Sequence, residues 1–264
     1  MMGQQVARVV SSKSKDYSVG DHVLSFDGWT SHVITDCATL RKVQLPDNLP
    51  LSLAMGVLGM TGMTAYFGLI DICNPKAGET VLVSGAAGAV GSLVGQIAKI
   101  LGCRVIGFAG SEAKLQFLKE LGFDEAINYK KITDLDATIK SVAPKGVDVY
   151  FDNVGGEFAT TVIKNLNDYG RVSVCGAISQ YNAEEEVKVP SVMPTVNRKR
   201  IKIQGFMVYD YEQKFDAAIQ QHIDWIKQGK LKYREHVTKG FENMYKAFQE
   251  LFTGANTGKA IVNV

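Results

Sequence analysis

The chain has 264 residues, 46% hydrophobic and 21% charged, enough for one large α/β domain, alone or with part of a second, and too apolar for a disordered chain. Its 29 Lys and Arg against 27 Asp and Glu leave a net charge of +2, and the longest basic run is Arg198-Lys199-Arg200, so nothing draws in nucleic acid or an anionic membrane. No apolar stretch reaches the roughly 18 residues of a membrane span, and the opening Met1-Met2-Gly3-Gln4-Gln5 has neither the basic start nor the apolar stretch of a secretory signal.

Residues 5–10, 19–24 and 29–34 read as short strands between turns, barrel-like material too sparse to close its own edges. From Pro50 the texture changes, and 51–72 is apolar with small residues interspersed, as in helices packed on a sheet. A regular alternation follows. Strands are predicted over 80–84, 104–108, 125–129, 147–154 and 171–176, with helices over 90–100, 112–121, 132–142 and 157–166 between them. Apolar strands alternating with helices mean a doubly wound parallel sheet. A further strand is predicted over 202–208, then an amphipathic helix over 212–228 with Phe215, Ile219, Ile223, Trp225 and Ile226 on its apolar face. Strands at 232–237 and 259–264, with a helix over 241–252 between them, read as a return to the barrel at the front.

The cysteines (Cys37, Cys73, Cys103, Cys175) lack the paired spacing of a metal or redox motif. Scattered singly, they read as reduced thiols of a cytoplasmic protein and as small buried hydrophobes. None of the four histidines stands near a partner cysteine, and His222 and His236 read as surface residues.

The strongest chemical signal is Val81-Leu82-Val83-Ser84-Gly85-Ala86-Ala87-Gly88-Ala89-Val90-Gly91-Ser92. Strand, glycine-rich turn and helix start follow in order, where backbone can approach a pyrophosphate seated on a helix N-terminus. The tip of the second strand decides which dinucleotide. An NAD site usually places Asp or Glu there for the ribose 2′-hydroxyl, but this strand ends in Ala109-Gly110-Ser111, with Glu112 one step on and Lys114 in the first helical turn. An uncharged tip with a nearby lysine suits the 2′-phosphate of NADPH.

Several segments carry a family resemblance: Met2-Gly3-Gln4-Gln5-Val6-Ala7, Gly62-Met63-Thr64-Ala65-Tyr66-Phe67-Gly68, Gly85 to Ser92, Phe151-Asp152-Asn153-Val154-Gly155-Gly156-Glu157-Phe158, Cys175-Gly176-Ala177-Ile178-Ser179-Gln180-Tyr181-Asn182, and Asn256-Thr257-Gly258-Lys259. The chain resembles the zinc-independent medium-chain dehydrogenases and reductases, in their prostaglandin- and alkenal-reducing branch. The resemblance implies a Rossmann-type sheet over 51–230 and a partial GroES-like β-barrel from 1–50 and 231–264. It implies NADPH held by Gly88, Ala89, Val90 and Gly91 at the pyrophosphate and by Lys114 and Tyr129 at the 2′-phosphate and adenosine. Asn153, Cys175, Gly176, Ala177, Ile178, Ser179, Tyr181, Phe206, Met207, Val208 and Asn256 would line the remaining cofactor length, with Thr64 beside the nicotinamide. No metal is expected. The implied reaction is hydride transfer from NADPH to the β-carbon of an α,β-unsaturated ketone or aldehyde, such as an oxo-prostaglandin, a leukotriene-related lipid or an alkenal, with the enolate stabilised by hydrogen-bond donors and then protonated. Members of this family are commonly dimers, and the sequence leaves the oligomeric state open with nothing that forbids a homodimer.

Two departures from the family pattern stand out. Relatives carry roughly 60 more residues ahead of this start, of barrel-segment size, so the chain reads as a shortened form lacking its opening barrel strands. The position of a family tyrosine, counted back from Gly205-Phe206, holds Arg198, a poor proton donor, which leaves Tyr181 as the candidate proton donor. The alternatives are an NADPH quinone reductase with the same cofactor site, and a catalytically silent NADPH-binding protein.

Overall fold

The computed structural model describes residues 1, 3–46 and 48–264. Met2, which opens the first resembling segment, and Asp47, inside the 1–50 segment, lie outside the described residues.

The centre is a six-stranded, all-parallel sheet. Its strands are β4 (Thr80–Val83), β5 (Arg104–Ala109), β6 (Glu125–Asn128), β7 (Val147–Asp152), β8 (Leu166–Val174) and β9 (Lys202–Gly205), in the spatial order β6-β5-β4-β7-β8-β9. The order reverses beside β4, which makes the sheet doubly wound. Alternation along each strand feeds both faces. Val81, Val83, Val105, Val149 and Phe151 join one apolar cluster, under α1 (Met60–Cys73), α2 (Gly91–Ile100), α3 (Glu112–Glu120) and α7 (Phe215–Lys227). Leu82, Ile106, Phe108 and Tyr150 join the other, under α4 (Leu135–Val142), α5 (Gly156–Lys164) and α6 (Met193–Lys199). Strands covered on both faces are near-continuously apolar, which is why 80–84 and 147–152 carry no polar alternation.

The terminal segments build two small sheets. Strands β1 (Gln5–Arg8), β2 (His22–Ser25) and β3 (Arg41–Lys42) pair antiparallel, with Gln5 opposite Ser25 and Val23 opposite Lys42. Strands β10 (Glu235–Lys239) and β11 (Lys259–Asn263) pair parallel, the crossover being a short 3-10 turn and α8 (Met244–Thr253). The two sheets stay separate, so the C-terminal strands meet the N-terminal segment through side chains and not a shared ladder. Trp29 packs edge-on against Phe248 at 5.9 Å, and the Ser52 hydroxyl donates to Glu235 at 3.0 Å.

Four expectations need correction. Residues 29–34 are irregular, not a strand; the third strand forms at Arg41–Lys42, where His22 accepts from Val43 and continues the ladder. The predicted helix over 212–228 begins as a 3-10 segment, Val208–Lys214, and turns α-helical at Phe215. Helix α6 was not anticipated; its Pro194 in the first turn suits a helix start, but the surrounding loop shows no apolar periodicity. His222 is fully buried, not a surface residue, because α7 presses it against α1 and the turn before it, where its Nδ1 bonds the Val57 carbonyl at 2.8 Å. His236 is half-buried and pairs with Glu250 at 3.4 Å.

Candidate active site at the carboxyl edge of the sheet

All six parallel strands deliver their carboxyl ends to one edge, where ligands of open α/β sheets gather. Strand β4 runs into the glycine turn. Gly85 takes φ +59°, and a Cβ on Gly91 would stand 2.5 Å from the Gly85 carbonyl oxygen, so the turn closes this tightly only with hydrogen at that position. The Gly88 amide donates to Gly85 at 3.1 Å, while the next three amides, of Ala89, Val90 and Gly91, have no acceptor among the described residues. Free successive amides at the positive end of α2 are what an anionic phosphate pairs with.

Beneath this turn lies a buried polar knot that the sequence reading did not single out. Asp152 Oδ1 accepts from the Tyr150 hydroxyl at 2.7 Å, from Ser84 at 3.2 Å and from the amides of Val154 and Gly155 at 2.9 Å each. The Asp152 carbonyl accepts from the Cys175 and Gly176 amides at 2.9 and 3.1 Å. One residue thus ties together the ends of β4, β7 and β8. Burial, with the Asp152 charge beside it, pushes the Tyr150 phenol well above its ordinary range and keeps it a neutral donor. The carboxylate closing an apolar strand after Val149-Tyr150-Phe151 was the available signal, since buried charges are normally paired or hydrogen-bonded.

At the outer end, β5 finishes in Ala109 and α3 begins at Glu112. The Glu112 carboxylate is engaged elsewhere: it accepts from Asn128 at 2.9 Å and pairs with Lys131 at 2.9 Å. Lys114 donates to the Gly254 carbonyl at 2.7 Å. Tyr129 and Lys130 both crowd Gly110, where an added Cβ would lie 3.0 Å from the Tyr129 hydroxyl and 3.2 Å from Lys130 Cε. Burial, with Lys130 beside it, holds the Lys114 ammonium below the usual lysine value, and among the described residues neither lysine has a carboxylate within 4.0 Å. Two unneutralised cations and an exposed phenol at the strand tip favour an anion. Lys130 is a further candidate that the sequence reading missed, although it follows Tyr129 directly.

The inner end is built by loops that fold back over β7 and β8. Asn153 donates its amide side chain to the Ser84 carbonyl at 2.8 Å. The 175–181 loop rides over it: Ile178 donates to Asn153 at 3.3 Å, and the Ser179 hydroxyl to Val154 at 2.6 Å. The Tyr181 hydroxyl curls back to accept from the Ala177 amide at 3.1 Å, which leaves its own proton free to donate. A Cβ on Gly176 would meet that hydroxyl at 2.7 Å. The half-buried Cys175 thiol is pushed up to about 12 by burial and by Asp152, so it is no nucleophile at neutral pH.

Phe206 seats its ring against Gly68 of α1, and Thr64, one helical turn earlier, shares that face. The Thr64 hydroxyl is held by the Met60 carbonyl at 2.7 Å. Met207 is 64% exposed, whereas the Val208 side chain is buried in an apolar cluster with Met63 and Phe67 and offers only backbone to the edge. Asn256 reaches the glycine turn from the far end of the chain. It donates to the Gly258 carbonyl at 3.0 Å, and Gly258 donates to Ala87 at 2.8 Å. Arg198 is not brought to this edge. It precedes β9, whose first residue pairs with Arg171 at the amino-terminal end of the sheet, so it lies opposite the site.

Comparison with known proteins agrees with this geometry. Residues 89–227 match the family model described as zinc-binding dehydrogenase, and residues 1–43 match one described as N-terminal domain of oxidoreductase. The chain is 51% identical to prostaglandin reductase 1 of Bos taurus, over 99% of this chain and 80% of that protein. It is 47% identical to the NADP(+)-dependent 2-alkenal reductase of Nicotiana tabacum, over 99% of this chain and 76% of the relative. Among solved structures, CurA from Vibrio vulnificus in complex with NADPH superposes with a TM-score of 0.94 at 42% identity, covering all of this chain and 80% of that one. Among the described residues, no three His, Cys, Asp or Glu side chains cluster so as to hold a metal ion, and no helix is long and apolar enough to cross a membrane. With a glycine turn closing a doubly wound sheet, and with these matches along its whole length, the chain belongs to the zinc-binding dehydrogenase family, the medium-chain dehydrogenases and reductases.

Proposed function

We propose that the protein is an NADPH-dependent reductase of the carbon–carbon double bond of α,β-unsaturated ketones and aldehydes, with oxo-prostaglandins, leukotriene-related lipids and alkenals as its substrate class. The observation that carries the cofactor choice is the strand tip: Glu112 is spent on Asn128 and Lys131, while among the described residues Lys114 and Lys130 have no carboxylate partner. The substrate class is supported by the named activities of the relatives at 51% and 47% identity.

NADPH supplies a hydride to the β-carbon of the enone when bound. The chain's own residues do the rest. The free amides of Ala89, Val90 and Gly91 would hold the pyrophosphate, and Lys114 with Tyr129 would hold the 2′-phosphate end. Asn153, the 175–179 backbone, Phe206, Met207, the Val208 backbone, Thr64 and Asn256 orient the nicotinamide half. Tyr181, whose hydroxyl accepts from Ala177, keeps a proton to give to the enolate.

The reading extends to 51–230 as the cofactor domain, with 1–50 and 231–264 as the partial barrel. It extends also to a homodimer, supported by the open edge at β9, where Ile203 is 38% exposed, and to a cytoplasmic location, supported by four cysteines without a disulfide. The deciding experiment follows NADPH oxidation by the purified chain with and without a trans-2-alkenal. Alkenal-dependent oxidation is expected, with NADPH preferred over NADH. A folded, soluble chain that binds NADPH without turnover would instead support a silent cofactor-binding protein.

A further inference from the structure

A second charged pair lies on the other side of the glycine turn, and nothing above uses it. Glu235 and Lys259 are register partners in β10 and β11, so their side chains stand side by side. Both face a cavity of about 10 Å³ whose opposite wall includes Ala89 and Ser92, at the start of α2. Glu235 Oε2 accepts from Ser52 at 3.0 Å, but Oε1 is buried with no partner. Neighbouring Arg234 does not neutralise it, for its guanidinium covers the Phe117 ring at 4.3 Å and pairs with Glu120 at 3.3 Å. Lys259 packs its stem on Gly56, with Cγ 3.7 Å from where a Gly56 Cβ would be, and among the described residues its ammonium has neither a hydrogen bond nor an ion pair within 4.0 Å. Burial draws that ammonium below the ordinary lysine value, and Glu235 draws it back up.

The backbone fixes this pair to the cofactor turn. Gly258 forms a parallel bridge with Gly88 and donates to Ala87 at 2.8 Å, and Lys259 follows directly, its amide held by Arg234. A half-buried cation sharing a cavity wall with the positive end of α2 is unfavourably placed unless an anion comes to that end. We propose that Lys259 is a positioning residue for the dinucleotide pyrophosphate, its charge reaching the turn from below and moderated by Glu235. The inference rests on the NADPH reading above and deepens it. It assigns to the C-terminal strand pair a part in cofactor affinity.

The test measures dissociation constants of NADPH and of adenosine 2′-monophosphate, which has no pyrophosphate, for the full chain and two variants. Lys259→Met should weaken NADPH about tenfold, a typical loss for one partly buried charge contact, and leave adenosine 2′-monophosphate unchanged. Glu235→Gln keeps the volume and removes the moderating charge, so it should tighten NADPH about threefold. A merely structural role predicts instead that both variants weaken NADPH or that neither changes it, and either result overturns the proposal. If Lys259→Met does not fold, Glu235→Gln decides alone: tightening supports the proposal, and weakening or no change overturns it. A wild-type chain that binds adenosine 2′-monophosphate but not NADPH, or neither, removes the cofactor reading and this inference with it. NADPH binding by wild type with no response to the variants removes the inference alone.

Discussion

Lys114 shows how one side chain carries a specificity. Its half-buried ammonium rests on the Gly254 carbonyl near the exposed Lys130, and among the described residues no carboxylate neutralises either. A 2′-phosphate would meet two cations there; a bare ribose hydroxyl would meet no carboxylate to accept from it. Lys114→Ala should therefore raise the KM for NADPH about tenfold, as expected for one charge-assisted contact, and leave NADH nearly unchanged. Steady-state kinetics with both cofactors check this, and an equal effect on the two would remove Lys114 from the phosphate site. Tyr181 makes the complementary case for chemistry. Tyr181→Phe keeps the ring and removes the proton, so kcat should fall about 100-fold, the lower range for a lost general acid, while NADPH affinity holds. An unchanged kcat would return the proton-donor role to another group or to water.

Between elements, the decisive contact is that of the glycine turn with itself. Gly91 opens α2, yet its Cα lies so near the Gly85 carbonyl that a methyl would stand 2.5 Å away. Gly91→Ala must push α2 from β4, moving the free amides of Ala89 and Val90. A displacement near 1 Å costs about 100-fold in a positioned reaction, so kcat/KM should drop by that order while circular dichroism still reports the α/β fold. Activity within a few-fold of wild type would mean that the turn does not hold the cofactor. The Ser84–Tyr150–Asp152 knot acts between elements as well. It satisfies a buried carboxylate with four donors from two strands and a loop, and so fixes where the 175–181 loop can dock.

In the molecule as a whole, α1 and α7 enclose His222 with Tyr66 and Trp225, which sit 5.6 Å from its ring. Burial pulls its pKa down to about 4, against which the Val57 bond is the smaller influence. The unfolded chain, at the ordinary value near 6.5, takes up the proton first. The stability that His222 contributes is therefore full above pH 6.5 and declines as the pH falls to about 4, by on the order of 3 kcal/mol. Urea unfolding over that window should show wild type losing stability relative to His222→Gln; parallel curves would contradict a neutral buried imidazole.

His222 also marks the boundary between local and distant information. Apolar runs of strand length alternating with helical patterns specify a doubly wound sheet because covering both faces requires them, and 80–109 could be read almost to the residue. The glycine spacing was equally legible, since only glycine permits such a turn. A histidine in a helix, by contrast, bears no mark of which face will be buried, and one in a predicted amphipathic helix passes for solvent-facing. Arg198 misled for a related reason: counting along the chain located a motif position, but the direction of β9 sent it to the far end of the sheet. The pairing of Glu112 with Asn128 and Lys131, the meeting of Lys114 with Gly254, and the seating of Lys259 under α2 join residues 16, 19, 140 and more than 160 positions apart. Such contacts exist only once the sheet has stacked its helices, because no local propensity encodes which distant carbonyl or carboxylate will be near.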